Sequence, residues 1–139
     1  MKFGFDVHGV VDTHPEIYAA MTNALVAAGH EVHVITGAQA KPQLLEKLKS
    51  SGITWTHWFS IVQYHLDKGD VDVKFVDGEP WMDREIWNRT KAEYCEETGI
   101  AMMIDDSPVY GSYFTNNCLY LLQKDQRAQE TWMTLAGRI

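Results

Sequence analysis

Cysteine is scarce in this chain: Cys95 and Cys118 are the only two among 139 residues. That excludes a disulfide-stapled scaffold, and the pair reads as two thiols in a reducing cytoplasm. Basic residues are also in short supply. Twelve Lys and Arg stand against 19 Asp and Glu, for a net charge of −7. Non-specific nucleic-acid binding depends on neutralising phosphates, so this balance argues against it. It argues equally against attachment to an anionic membrane surface. A local cation can still hold one phosphate. No run nears the ~20 apolar residues of a membrane span, and no basic start leads into an apolar stretch as a secretory leader would. Neither repeats nor low-complexity tracts are visible. Hydrophobic residues make up 45%, enough for a real core, and the length suits a single domain over 1–139.

Strand and helix signals alternate along the chain. Residues 3–7 read as a strand. Residues 15–28 read as a helix, with Pro15 in its first turn and Gly29 as its stop. A second strand covers 31–36, a second helix 41–50 and a third strand 53–59. Ser60 caps a short helix through Leu66, which Gly69 closes. Residues 71–76 alternate at period two, turn at Asp77-Gly78 and return at Trp81-Met82, a hairpin signal. Asp83 caps a helix to Thr98, closed by Gly99. Strands at 100–104 and 119–122 and a last helix at 126–136 complete the chain. Most strands are continuously apolar, which points to a parallel sheet buried on both faces. The fold class is therefore α/β: a Rossmann-like three-layer sandwich, mostly parallel, with a small hairpin insertion near 71–82. Right-handed crossovers align the strand C-termini along one edge, where ligands bind in such sheets.

Chemistry-bearing residues fall at those ends. Phe5-Asp6-Val7-His8-Gly9 follows the first strand, Thr36-Gly37 the second, and Ile104-Asp105-Asp106-Ser107-Pro108 a later one. Two adjacent carboxylates repel each other, so a bound cation is a natural reason to place them together. Lys91 lies in the helix before that last strand; Lys74, on the hairpin, is its rival. Residues 6 and 8 share strand parity, so His8 can face the site. The remaining histidines, His14, His30, His33, His57 and His65, show no compact ligand spacing, and no zinc site is expected. Trp55, Trp58, Phe59, Met102 and Met103 read as core.

In order and position these segments resemble the four short motifs of the haloacid dehalogenase-like (HAD) hydrolase superfamily. The resemblance implies that Asp6 is the nucleophile, forming an aspartyl-phosphate. It implies that Thr36 and Gly37 bind phosphate and that Lys91 neutralises both the nucleophile and the phosphoryl group. It further implies Mg²⁺ held by Asp6, Asp106 and the backbone carbonyl of His8, with Asp105 either behind the metal or bound to it through water. The family's usual first motif is Asp-x-Asp, and here His8 replaces the second Asp, which serves as acid and base. Histidine can do that work, although a neighbouring Mg²⁺ would lower its pKa. The segment 9–14 is too short for a cap domain, and 60–82 offers at most a small flap, leaving an open site. The function this implies is a cytoplasmic, Mg²⁺-dependent phosphatase whose substrate is a nucleotide, a phosphorylated end or a phosphoprotein. The alternative is a domain on the same scaffold that binds metal and phosphate, or a partner, without efficient turnover. A flavodoxin-like or receiver domain fits less well, since such domains carry their acidic pair after the first strand.

Overall fold

A five-stranded, wholly parallel sheet organises the chain in the computed structural model, which describes residues 1–115 and 117–124. The strands are β1 (Lys2–Phe5), β2 (Glu31–Thr36), β3 (His57–Ser60), β6 (Met102–Asp105) and β7 (Leu119–Leu122), in the order β3-β2-β1-β6-β7. The small antiparallel ribbon pairs β4 (Lys74–Val76) with β5 (Glu79–Trp81) through the Asp77-Gly78 turn. The helices are α1 (Pro15–Ala27), α2 (Pro42–Ser50), α3 (Ile61–Lys68), α4 (Arg84–Thr98) and α5 (Pro108–Gly111). The helix expected over 126–136 lies outside the described residues.

Period-two alternation assigns the two faces of β2. Val32 and Val34 point into one core with Phe5, Tyr18 of α1, Leu48 of α2 and Ile104. Ile35 points the other way, into a core with Phe59, Ile61, Cys95 of α4, Ile100 and Met103. Helices thus cover both faces, which is what continuously apolar strands require. Cys95 is buried and Cys118 half-buried, and no disulfide joins them. Phe59 is core; Trp55 and Trp58 pack against the opposite cluster.

The helix starts follow local chemistry. Ser60 Oγ accepts from Gln63 N at the head of α3, and Asp83 Oδ1 accepts from Ile86 N at the head of α4. Several strand limits differ from the sequence reading. β1 stops at Phe5, because a tight turn begins at Val7. β3 begins at His57 rather than at 53: the β-branched residues before it pack as an extended lead-in, and Ile53 is buried without pairing. α5 was not expected. It is a single turn started by Pro108 and capped by Ser107 Oγ, which accepts from Tyr110 N. No helix among the described residues is long and apolar enough to cross a membrane.

The chain runs outward from β1 to β2 and β3 on one side and from β6 to β7 on the other. The strand order therefore reverses between β1 and β6, and the crevice at their C-terminal ends is the expected place for a ligand.

Candidate functional site

Asp6 leaves β1 with its N–H still donating to Ile104 O of β6 at 3.0 Å. This extra rung sets Asp6 beside Asp105 at the end of β6. Lys91 reaches between them from the middle of α4. Its Nζ is 3.0 Å from Asp6 Oδ1 and 2.8 Å from Asp105 Oδ2. All three residues are buried. Asp105 is fully engaged, since its Oδ1 also accepts from Ser107 N at 3.1 Å. Lys74 lies elsewhere, exposed on the hairpin and paired with Asp72. Of the two candidate lysines, Lys91 is the one at the carboxylates.

Oxygens of Asp6, Asp105 and Asp106 lie within 4.8 Å of one another. Lys91 supplies one positive charge against these three carboxylates. The imbalance shows in the acidity of Asp6 and Asp106. Burial, then Asp105, raises the Asp6 pKa to about 7 against the lowering pull of Lys91. Burial, then Asp6 and Asp105, raises that of Asp106 to about 8. Burial also works against the charge on Lys91, but Asp105 and Asp6 outweigh it and hold the ammonium protonated. A hard, oxygen-seeking cation such as Mg²⁺ fits this donor set, because it needs carboxylate oxygens and would relieve their repulsion.

The turn after Asp6 is shaped for close approach. Gly9 has φ +84°, and a Cβ there would stand 2.2 Å from Asp106 Oδ2. Only glycine lets the Asp106 carboxylate sit against this turn. Gln123, just past β7, props the turn from below, donating to Gly9 O at 2.9 Å and Thr13 Oγ1 at 2.8 Å. His8 extends from the same turn. It lines the cleft as parity suggested, although by way of the turn rather than a continued strand. Its Nδ1 is 3.5 Å from Asp12 Oδ2, and Asp12 Oδ1 accepts from Gly9 N at 2.8 Å. The bond to Asp12 raises the His8 pKa, with Asp6 adding to it. This opposes the lowering expected from a metal.

Across the crevice, Thr36 is buried at the end of β2 and its Oγ1 accepts from Ala38 N at 3.3 Å. Gly37 lies flat against Trp87, whose ring a Cβ would meet at 2.6 Å. Trp87 Nε1 donates to Tyr110 OH at 2.8 Å, and the Tyr110 ring lies 4.9 Å from Lys91 Nζ. The cleft holds about 410 Å³, is open to solvent, and is lined in part by Phe75 and Pro80 of the hairpin.

The sequence-derived candidates Asp6, His8, Thr36, Gly37, Lys91 and Asp106 all line this one cleft, and Asp105 lies directly behind it. Sequence reasoning missed Asp12, Trp87, Tyr110 and Gln123. Asp12 carried a readable signal, standing four residues after His8 in a Gly-containing turn. The other three depend on how distant elements pack, and no spacing announces them. No protein-family model matches the chain, and no curated protein matches it.

Proposed function

We propose that the chain is a Mg²⁺-dependent phosphomonoester hydrolase of the HAD type, acting through a phospho-aspartate at Asp6. The observation that carries this reading is the Lys91 ammonium shared between Asp6 and Asp105, with Asp106 adjacent and Thr36 across the cleft. Asp6 Oδ attacks phosphorus, the ester P–O bond breaks, and the leaving oxygen takes a proton. Water then attacks the acyl-phosphate, which releases inorganic phosphate and restores the carboxylate. Lys91 and the Thr36 hydroxyl hold the phosphoryl oxygens and favour charge building there. Asp6, Asp106 and the His8 carbonyl would hold Mg²⁺, which screens the repulsion between the nucleophile and the phosphate dianion. Asp105 keeps Lys91 charged and aimed. His8, steadied by Asp12, is the proton donor at the leaving oxygen.

The test is a panel of aryl and alkyl phosphomonoesters, with and without Mg²⁺, on wild type, Asp6→Asn and His8→Asp. Turnover should require Mg²⁺ and vanish in Asp6→Asn, whose amide cannot form the acyl-phosphate. General acid catalysis is worth about 10²–10⁴-fold, so any weakness of His8 as an acid appears as poor alkyl-ester turnover that His8→Asp improves. If wild type and His8→Asp are both inert while Mg²⁺ still binds, the domain is a binding module on this scaffold.

A further inference from the structure

Three residues back along β2 from Thr36, roughly 10 Å away by strand rise, two histidines meet. His33 and His57 are direct partners in the parallel β2·β3 ladder, so their side chains leave the sheet side by side on one face. Their rings stack at 4.2 Å with 8° between planes. Glu31, two residues before His33, shares that face, and its Oε2 is 2.8 Å from His33 Nε2. We propose that Glu31, His33 and His57 form a second metal site, open at the surface, for a borderline divalent ion such as Zn²⁺.

The hydrogen bonds outside the cluster carry the inference. The Thr56 hydroxyl donates its only proton to Val32 O at 3.0 Å and accepts from Val32 N at 2.9 Å. It also lies 2.8 Å from His57 Nδ1, where it can accept the ring N–H. In that tautomer of His57, Nδ1 carries the proton and Nε2 presents its lone pair to a metal. His33 Nδ1 is likewise 2.7 Å from an oxygen, the Tyr94 hydroxyl. Metal-bound histidines almost always donate their second ring N–H to such a partner, which orients the ring and raises its basicity. Here both rings have one. For His33 the proton facing Glu31 on Nε2 moves to Nδ1, where Tyr94 Oη accepts it, and Nε2 becomes the ligand.

One atom from each residue already lies within 4.8 Å of the others. Tetrahedral zinc with bonds of roughly 2.1 Å needs its ligands about 3.4 Å apart. Glu31 and His57 lie at the surface, so small side-chain adjustments that keep the Thr56 contact can close that gap. Lys2 Nζ, 3.8 Å from Glu31 Oε2, is bonded to Thr98 O and only half-buried, so it can yield to a cation. Two histidines, one carboxylate and an open fourth position are a zinc-type donor set, unlike the all-oxygen cluster at the cleft.

Titrating ZnCl₂ calorimetrically into the full chain in excess Mg²⁺ tests this, alongside imidazole ¹⁵N spectra. One equivalent of Zn²⁺ should bind wild type at least about 100-fold more tightly than His57→Ala. Asp106→Asn should bind Zn²⁺ as wild type does. The Nε2 resonances of His33 and His57 should shift while those of His8, His14 and His30 stay in place. Because His57 is exposed, His57→Ala should keep its zinc-free Tm. The proposal is overturned if folded wild type takes up no Zn²⁺, if His57→Ala binds it equally well, or if the loss follows Asp106→Asn instead.

Discussion

The two most constrained residues at the cleft are Lys91 and Gly9. Lys91 is an ammonium sealed between two buried carboxylates, and its value lies less in attraction than in what its loss would leave behind. Removing one partner of a buried ion pair costs about 3–5 kcal/mol, because the other partner's charge stays in low dielectric uncompensated. Lys91→Met, which nearly keeps the volume, should therefore lower stability by that order at pH 8. Denaturant midpoints should show a smaller loss at pH 5, where Asp6 can take up a proton instead. Gly9→Ala attacks the site from the other side. A left-handed backbone costs a non-glycine residue about 1–3 kcal/mol, and the new Cβ would displace the Asp106 carboxylate. The expected outcome is a lower Tm together with loss of the Mg²⁺-induced rise in Tm. A variant that melts lower but keeps its full response to Mg²⁺ would show that Asp106 is not a ligand.

Among the elements, the β4–β5 hairpin is the one built for something other than the core. Phe75, Val76 and Trp81 are exposed on it, yet Phe75 and Pro80 wall the cleft. Phe75→Ser should leave Tm nearly unchanged, since surface substitutions usually stay within about 0.5 kcal/mol. It should raise KM for an aryl phosphate roughly fivefold at constant kcat, the mark of a contact equal in ground and transition states. The hairpin was legible because alternation and an Asp-Gly turn are local signals. So were α3 and α4, whose caps Ser60 and Asp83 and stops Gly69 and Gly99 lie within the elements they bound. β3 was less legible. Residues 53–56 have strand chemistry, but pairing depends on where β2 begins, which that segment does not encode. α5 is a single turn, too short for periodicity to register. The Gly9 turn and its Gln123 prop join residues at opposite ends of the chain.

On the scale of the whole molecule, the same logic explains why the cleft was mostly readable while the His33–His57 pair was not. A parallel sheet with right-handed crossovers brings every strand's C-terminal residue to one edge, so Asp6, Thr36 and Asp105 could be assembled from strand ends alone. The histidine pair depends on the register between β2 and β3, which only the folded sheet fixes. The edge carrying the carboxylates also sets how stability responds to pH. Asp6 and Asp106 titrate near 7 and 8 in the metal-free fold, well above their ordinary 3.8. The folded state therefore binds more protons than the unfolded chain between roughly pH 4 and 8. Their contribution is fully present below pH 4 and is lost as pH rises through 7 and 8. In EDTA this pair should make the protein less stable at pH 8.5 than at pH 5.5. On the proposed assignment, Mg²⁺ would bind the ionised oxygens of the folded state and compete with those protons, so its effect would have the opposite slope. At 100 times its dissociation constant it adds about 2.7 kcal/mol, but only where the carboxylates have given up their protons. Melting curves with and without Mg²⁺ should therefore coincide near pH 5.5 and separate progressively above pH 7. An equal Mg²⁺ shift at both extremes would mean that the ion binds away from Asp6 and Asp106, and the metal assignment at the cleft would fall with it.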